Sequence, residues 1–190
     1  MTTPRHRLQQ FVLHALIPVV CSTLLGMLFF GWNVVDRTTS AFQFLWTPVV
    51  MSVFYYLLRY ARVRDAYLGL IGLFALTFLT TESTSALYIV RDILYFGAVA
   101  LSIHLYVSYF SKHASTSPLY PAVTLGALYP LLYLVAAEVQ LGIVHLTEPG
   151  THGVTPVSLA ESTAFFGLLI GFAVGCGISV AERMFGPSGT

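Results

Sequence analysis

The chain has 190 residues, 56% of them apolar and 9% charged, with a mean hydropathy of +0.78. A soluble domain of this length carries charge on roughly a quarter of its positions, so nine basic and eight acidic residues leave too little polar surface to cover a water-soluble globule. The formal net charge of +1 supplies neither a basic field for nucleic acid nor an acidic tail, and the composition points to the lipid bilayer as the surrounding medium.

A membrane helix needs about 20 mostly apolar residues to cross roughly 30 Å of hydrocarbon, and the sequence divides into six such stretches. The first covers residues 11–30, behind Arg5 and Arg7, and holds His14, Pro18 and Cys21. It is longer than a signal-peptide core and no small-x-small cleavage site precedes Trp32, so it is expected to remain as the first helix. The second covers 41–58, with Ser40 and Gln43 in the capping-box spacing and Pro48 inside. The third, 66–81, is short and ends beside Glu82; the fourth, 86–110, carries Arg91 and Asp92 early and His104 late. The fifth, 118–145, opens on Ser117 and Pro118, an N-cap followed by a first-turn proline, and contains Pro130, Glu138 and His145. After a Gly- and Pro-rich connection over 146–158, the sixth covers 159–181 behind a second capping box, Ser158 with Glu161. The predicted fold class is therefore an all-α membrane protein, a six-transmembrane-helix bundle forming one domain over residues 1–190.

Orientation follows from the basic residues. With the N-terminus cytoplasmic, Arg5, Arg7, Arg59, Arg62, Arg64, Lys112 and Arg183 lie inside, and Arg37 and Arg91 outside. Both termini are then cytoplasmic. Tyr55, Tyr56, Tyr60, Tyr67, Tyr106, Tyr109 and Tyr120 form the inner aromatic belt, with Trp32 and Trp46 at the outer boundary. A bacterial inner (plasma) membrane is the expected location.

Small residues set how such helices pack, because lipid tails give helices no hydrophobic reason to associate. Gly167, Gly171 and Gly175 repeat every four residues and form one smooth stripe, expected to serve an internal helix contact or, alternatively, a homodimer seam. Ala98 with Ser102 and Ala122 with Gly126 are shorter versions. Pro18, Pro48 and Pro130 each remove a backbone hydrogen bond, freeing the carbonyls of His14, Phe44 and Gly126, and are expected to kink their helices. Cys21 and Cys176, both in apolar stretches, read as packing residues.

Ionisable groups inside spans carry the functional signal, since a charge near the bilayer centre costs about 2.5–3.5 kcal/mol on insertion scales. Glu138 lies about seven residues, or roughly 10 Å, below the outer end of the fifth helix. It reads as a cation, proton or substrate-amine site, or as a protonated carboxyl bonded to a neighbouring helix. Glu82, Arg91, Asp92 and His145 fall on the same outer side, followed by Glu148, His152 and Glu161, and would line an acidic, histidine-containing vestibule. Arg91 runs against the positive-inside trend and calls for a partner. Asp92, its neighbour on a helix, is expected to point away, which leaves Glu82 or Glu138.

On the inner side His14 and His104 stand at similar depths on different helices, the arrangement axial haem ligation requires. The segment Arg7 to Ala15, with a histidine behind a basic stretch, resembles the opening of bacterial b-type diheme cytochromes. That resemblance implies haem b, for which His14 and His104 would be the axial pair of a single site; later spans lack the further pair a diheme protein needs. The expectation is no cofactor, with both imidazoles hydrogen-bonded near the interface.

No G-x-S-x-G, H-E-x-x-H, Walker loop or paired-aspartate signature occurs, so the reading favours binding over catalysis. The expected function is binding or translocation of a small solute or ion, by a carrier or by the membrane subunit of a larger transporter. In length and helix count the chain resembles the six-helix substrate-capture subunits of energy-coupling vitamin transporters, a likeness of architecture alone. The alternatives are an accessory, sensor or anchoring subunit docked on another membrane protein, and a haem-binding or intramembrane enzyme.

Overall fold

The structure, a computed structural model, describes residues 4–30, 38–80, 86–113, 117–147 and 156–185. Among these the chain is helical apart from short turns at residues 61–62 and 117–119 and forms no strand. Six α-helices overlap the six apolar stretches: α1 (Pro4–Phe30), α2 (Thr38–Tyr60), α3 (Val63–Thr80), α4 (Ala86–Leu105), α5 (Tyr120–Thr147) and α6 (Pro156–Phe185). A π-helical turn, Tyr106–Phe110, and a 3₁₀ turn, Ser111–His113, continue α4. Among the described residues four stretches are long and apolar enough to cross a membrane: Gln9–Leu28, Ile89–Phe110, Tyr120–Leu146 and Ala164–Met184.

The helices overrun the apolar segments because backbone hydrogen bonding continues past the point where hydropathy falls. Two expected N-caps are corrected by this. The second and sixth helices begin at Thr38 and Pro156, so Ser40 and Ser158 lie inside them rather than capping them. Proline is well suited to a first helical position, since its missing N–H has no intrahelical acceptor there. Ser117 shapes the turn ahead of α5, its Oγ accepting from Leu119 N–H (3.3 Å) and its carbonyl from Tyr120 N–H (3.2 Å), but Pro118 lies in that turn and the first helical residue is Tyr120, so the expected N-cap and first-turn proline are corrected too.

Helix α6 is the hub. It lies against α5 along one side and α1 along another, and also touches α2; α2 in turn packs on α1, α3 and α4, and α4 on α5. The α5 seam is lined by Gly167, Gly171 and Gly175. A Cβ on Gly167 would stand 2.8 Å from Pro130 Cα, one on Gly175 2.5 Å from Ala122 Cα, and one on Gly171 would overlap the Leu125 carbonyl and lie 3.2 Å from Gly126 Cα. The stripe therefore faces α5 of the same chain, and the Ala122–Gly126 pair is the surface it meets. Gly177 opens the other side of α6 to α1, where a Cβ would sit 2.9 Å from Pro18 Cβ. Two of the three intrahelical prolines thus fill notches left by glycines, and the third, Pro48, is buried in α2.

The core is built from Val50, Met51 and Phe54 of α2, Val99 and Ile103 of α4, Leu125 of α5, and Ile170 and Val174 of α6. The opposite faces are apolar too. Val12, Leu16, Val20, Leu24 and Leu28 form an exposed ridge on α1, and Val123, Leu131, Val135 and Val139 one on α5. Apolar exteriors of this extent fit a lipid environment.

Leucine at Gly171 or Gly175 forces backbone apart, beyond the ~1–3 kcal/mol typical of overpacking. Thermal unfolding in detergent should show both variants strongly destabilised, whereas leucine at Gly97 or Gly142, where a Cβ meets nothing within 4 Å, should match the parent. Equal stability across the four variants would contradict the seam.

Candidate functional site

Helix α4 and the π-helical turn that continues it point Asp92, Phe96, Val99, Ile103 and Tyr106 inward at alternating steps of four and three. Asp92 is the charged member of that stripe, 9% exposed. Arg91 holds it: Nε and Nη2 of the guanidinium both donate to Asp92 Oδ1 at 2.9 Å. The expectation that Asp92 points away from Arg91 is therefore corrected. Consecutive helical side chains leave the axis about 100° apart, but the long arginine stem folds back and its donor fork reaches the carboxylate. Oδ1 receives both donors, and Oδ2 has no hydrogen bond among the described residues.

One turn further along α4, the Tyr95 hydroxyl hydrogen-bonds the Thr47 hydroxyl of α2. Helix α5 supplies Tyr129 and Tyr133, whose rings stack at 5.6 Å with planes 3° apart; the Tyr133 ring meets Tyr95 edge-on at 5.9 Å. Tyr129 is fully buried, and its hydroxyl lies by Tyr95 and Thr47 without a hydrogen bond of good geometry. Beside this group Trp46 Nε1 donates to Thr77 Oγ1 at 3.0 Å, tying α2 to α3. Helices α2, α4 and α5 thus bring together one carboxylate, its arginine, a threonine and three tyrosines. A carboxylate beside aromatic faces and hydroxyls suits a small cation or an amine, which it can hold by charge, hydrogen bonding and cation–π attraction.

The other outer residues do not join this group. Glu138 lies on the exposed ridge of α5 with Leu131, Val135 and Gly142 and makes no hydrogen bond or ion pair among the described residues; the expected pairing of Arg91 with Glu138 is absent. His145 is exposed near the end of α5. Glu82, Glu148 and His152 fall outside the described residues, as does the side chain of Glu161. Among the described residues, no three of the His, Cys, Asp and Glu side chains gather as a metal centre would require.

His14 and His104 have separate neighbours. His104 Nδ1 bonds the Tyr67 hydroxyl at 3.1 Å, while His14 Nδ1 bonds the Gln10 carbonyl at 2.8 Å and its ring packs against Tyr56 and Tyr60. Beyond His14 lies a residue the sequence reading passed over. Glu182, near the end of α6, accepts hydrogen bonds from Tyr55 and Tyr60, both at 2.8 Å to Oε1. A carboxylate just past an apolar stretch reads as interfacial; the signal available was that Tyr55, Tyr60 and Glu182 all fall at one depth.

No protein-family model matches the chain, and neither does any curated protein or solved structure.

Two substitutions separate the site's structural bonds from its open ones. Thr47→Val strips Tyr95 of its partner and should lower stability by about 0.5–1.5 kcal/mol, the usual worth of such a bond. Tyr129→Phe removes a hydroxyl with no well-formed bond and should leave unfolding in mixed micelles unchanged or slightly later. The reverse order of effects would show that Tyr129, not Thr47, holds the cluster.

Proposed function

We propose that the protein is a six-span, multi-pass protein of the plasma membrane that binds a small cationic or amine-bearing solute beside Asp92, as a carrier or as the membrane subunit of a larger transporter. Six α-helices overlap the six apolar stretches, four of them with a segment long and apolar enough to cross a membrane among the described residues, and seven basic residues against two favour cytoplasmic termini. The observation that carries the functional reading is the inward-facing Asp92 carboxylate. It is 9% exposed, balanced on one oxygen by Arg91, and followed by an aromatic wall of Tyr95, Tyr129 and Tyr133. Burial of a carboxylate is costly even when paired, and a bound cation offsets that cost by engaging the oxygen Arg91 leaves open. The tyrosine faces then exclude water and orient the solute.

A second reading, assembly with another membrane protein, is favoured by Glu138. Its carboxylate makes no ion pair among the described residues and stands on an apolar α5 ridge, where a basic side chain on a partner helix would neutralise it. Native purification that retains a partner from the parent protein but loses it from Glu138→Gln supports this role; a monomer from both contradicts it.

The solute reading is tested by a thermal-shift screen of small primary and quaternary amines on the purified full chain. A ligand present at ~100 times its dissociation constant stabilises by about 2.7 kcal/mol. The shift should vanish in Asp92→Asn and shrink in Tyr133→Ala, and it should persist in Glu138→Gln. Absence of any amine-dependent shift, or a shift retained in a folded Asp92→Asn variant, contradicts the proposal.

A further inference from the structure

The cluster around Glu182 joins α1, α2 and α6 at the end of the bundle where α1 begins and α6 finishes, well apart from Asp92. Its hydrogen bonding is one proton short. His14 is 2% exposed, and with Nδ1 donating to the Gln10 carbonyl at 2.8 Å, the neutral ring must present a bare lone pair at Nε2. Nε2 is buried without a hydrogen bond and faces Glu182 Oε1 at 3.9 Å. That oxygen already accepts from Tyr55 and Tyr60 at 2.8 Å each. Two acceptors therefore confront each other across a gap too long for a hydrogen bond, in a place where an unsatisfied polar atom is costly.

We propose that His14 and Glu182, held in place by Tyr55 and Tyr60, form a proton-binding site that takes up one proton from the water reaching the Glu182 side chain. That side chain is 25% exposed, so the proton has a route in, while the imidazole behind it is 1% exposed. The proton adds to the lone pair of Nε2. The neutral ring becomes an imidazolium that donates through Nδ1 to Gln10 and through Nε2 to the carboxylate, and no other bond breaks. The ring carries a positive charge only in this state, so the α1–α6 contact is drawn together on proton uptake and relaxed on release.

Helix α2 contributes Tyr55, Tyr56 and Tyr60 with Arg59 alongside, the π turn contributes Tyr106, and the start of α5 contributes Tyr120. Arg183 follows Glu182 on α6 and is exposed. Arg59 acts on Tyr60 and Tyr106, and it too is exposed, so it is screened by water. Among the described residues Nε2 has no hydrogen-bond donor, and the Glu182 carboxylate lies 3.9 Å from it. The site stands independently of solute binding at Asp92, since the two share no residue.

The test is nitrogen NMR of the full chain in lipid nanodiscs with ¹⁵N-labelled histidine, followed from pH 9 to pH 4. The chain has six histidines, and His14→Gln identifies the signals of residue 14; should that variant not fold, replacing the other five leaves His14 alone. In the parent protein, Nδ1 of His14 should stay protonated throughout, and Nε2 should change from lone-pair to N–H type as the solution is acidified. In Glu182→Gln the same change should need ~10-fold more acid, because the neutral amide no longer favours the cation. Tyr67→Phe, which alters the neighbour of His104, should leave His14 unchanged. An Nε2 that keeps its lone pair to pH 4, or one whose transition is the same with and without the Glu182 carboxylate, overturns the proposal.

Discussion

Everything in this bundle hangs on how closely α5 and α6 approach. Their seam is made by backbone meeting backbone, with Gly167 opposite Pro130, Gly171 opposite Leu125 and Gly126, and Gly175 opposite Pro121 and Ala122. In lipid, dispersion between well-packed surfaces carries much of the association energy, so a contact of this kind has no substitute. It also fixes the rotation of α5. With Ala122 and Gly126 committed to α6, Tyr129 is buried and Tyr133 turns toward Tyr95 on α4. The hydroxyl of Ser179, donating to the Pro118 carbonyl at 2.7 Å, secures the seam at its end. On its other side α6 receives Pro18 of α1 at Gly177, which brings His14 into the neighbourhood of Glu182.

Helix α2 links the two polar regions that this packing creates. Thr47 meets Tyr95 near one end, and Tyr55 meets Glu182 nearer the other; eight residues, or about 12 Å of helix, separate them. Between them lie Val50, Met51, Phe54, Val99, Ile103 and Leu125, all fully buried, together with Ser52 and Ser102, whose hydroxyls donate to the carbonyls of Pro48 and Ala98 on their own helices. A solute beside Asp92 and a proton beside His14 would therefore communicate through helix movement.

Hydropathy and its interruptions made the helices legible, since an apolar stretch of span length has few alternatives to a helix in lipid. Helix ends were less so: α1 begins at Pro4 and α6 at Pro156, ahead of the apolar residues, because helical hydrogen bonds need no lipid. The glycine stripe was visible as a pattern, but a four-residue spacing does not name the helix it faces. Charged residues within spans were found for the same reason the spans were, and two of them, Arg91 and Asp92, do meet. Their pairing was misread because helical geometry constrains where a side chain starts and not how far an arginine reaches. The tyrosines were the largest loss. Position along the axis marked Tyr55 and Tyr106 as interfacial, yet both are buried, at 3% and 1% exposure, whereas Tyr109 is 66% exposed as a belt residue should be. Direction around the axis depends on neighbouring helices, which the sequence does not order.

The claim on which the rest stands is that the glycine face of α6 is occupied by α5 of the same chain. Solid-state NMR in bilayers addresses it through ¹³C contacts between Gly171 and Gly126, first in uniformly labelled protein and then after dilution into unlabelled protein. The structure predicts a cross-peak that keeps its full relative intensity on dilution. A cross-peak that fades in proportion to dilution, or none at all, would place the seam between chains or dissolve it, and with it the rotation of α5 that forms the Asp92 site.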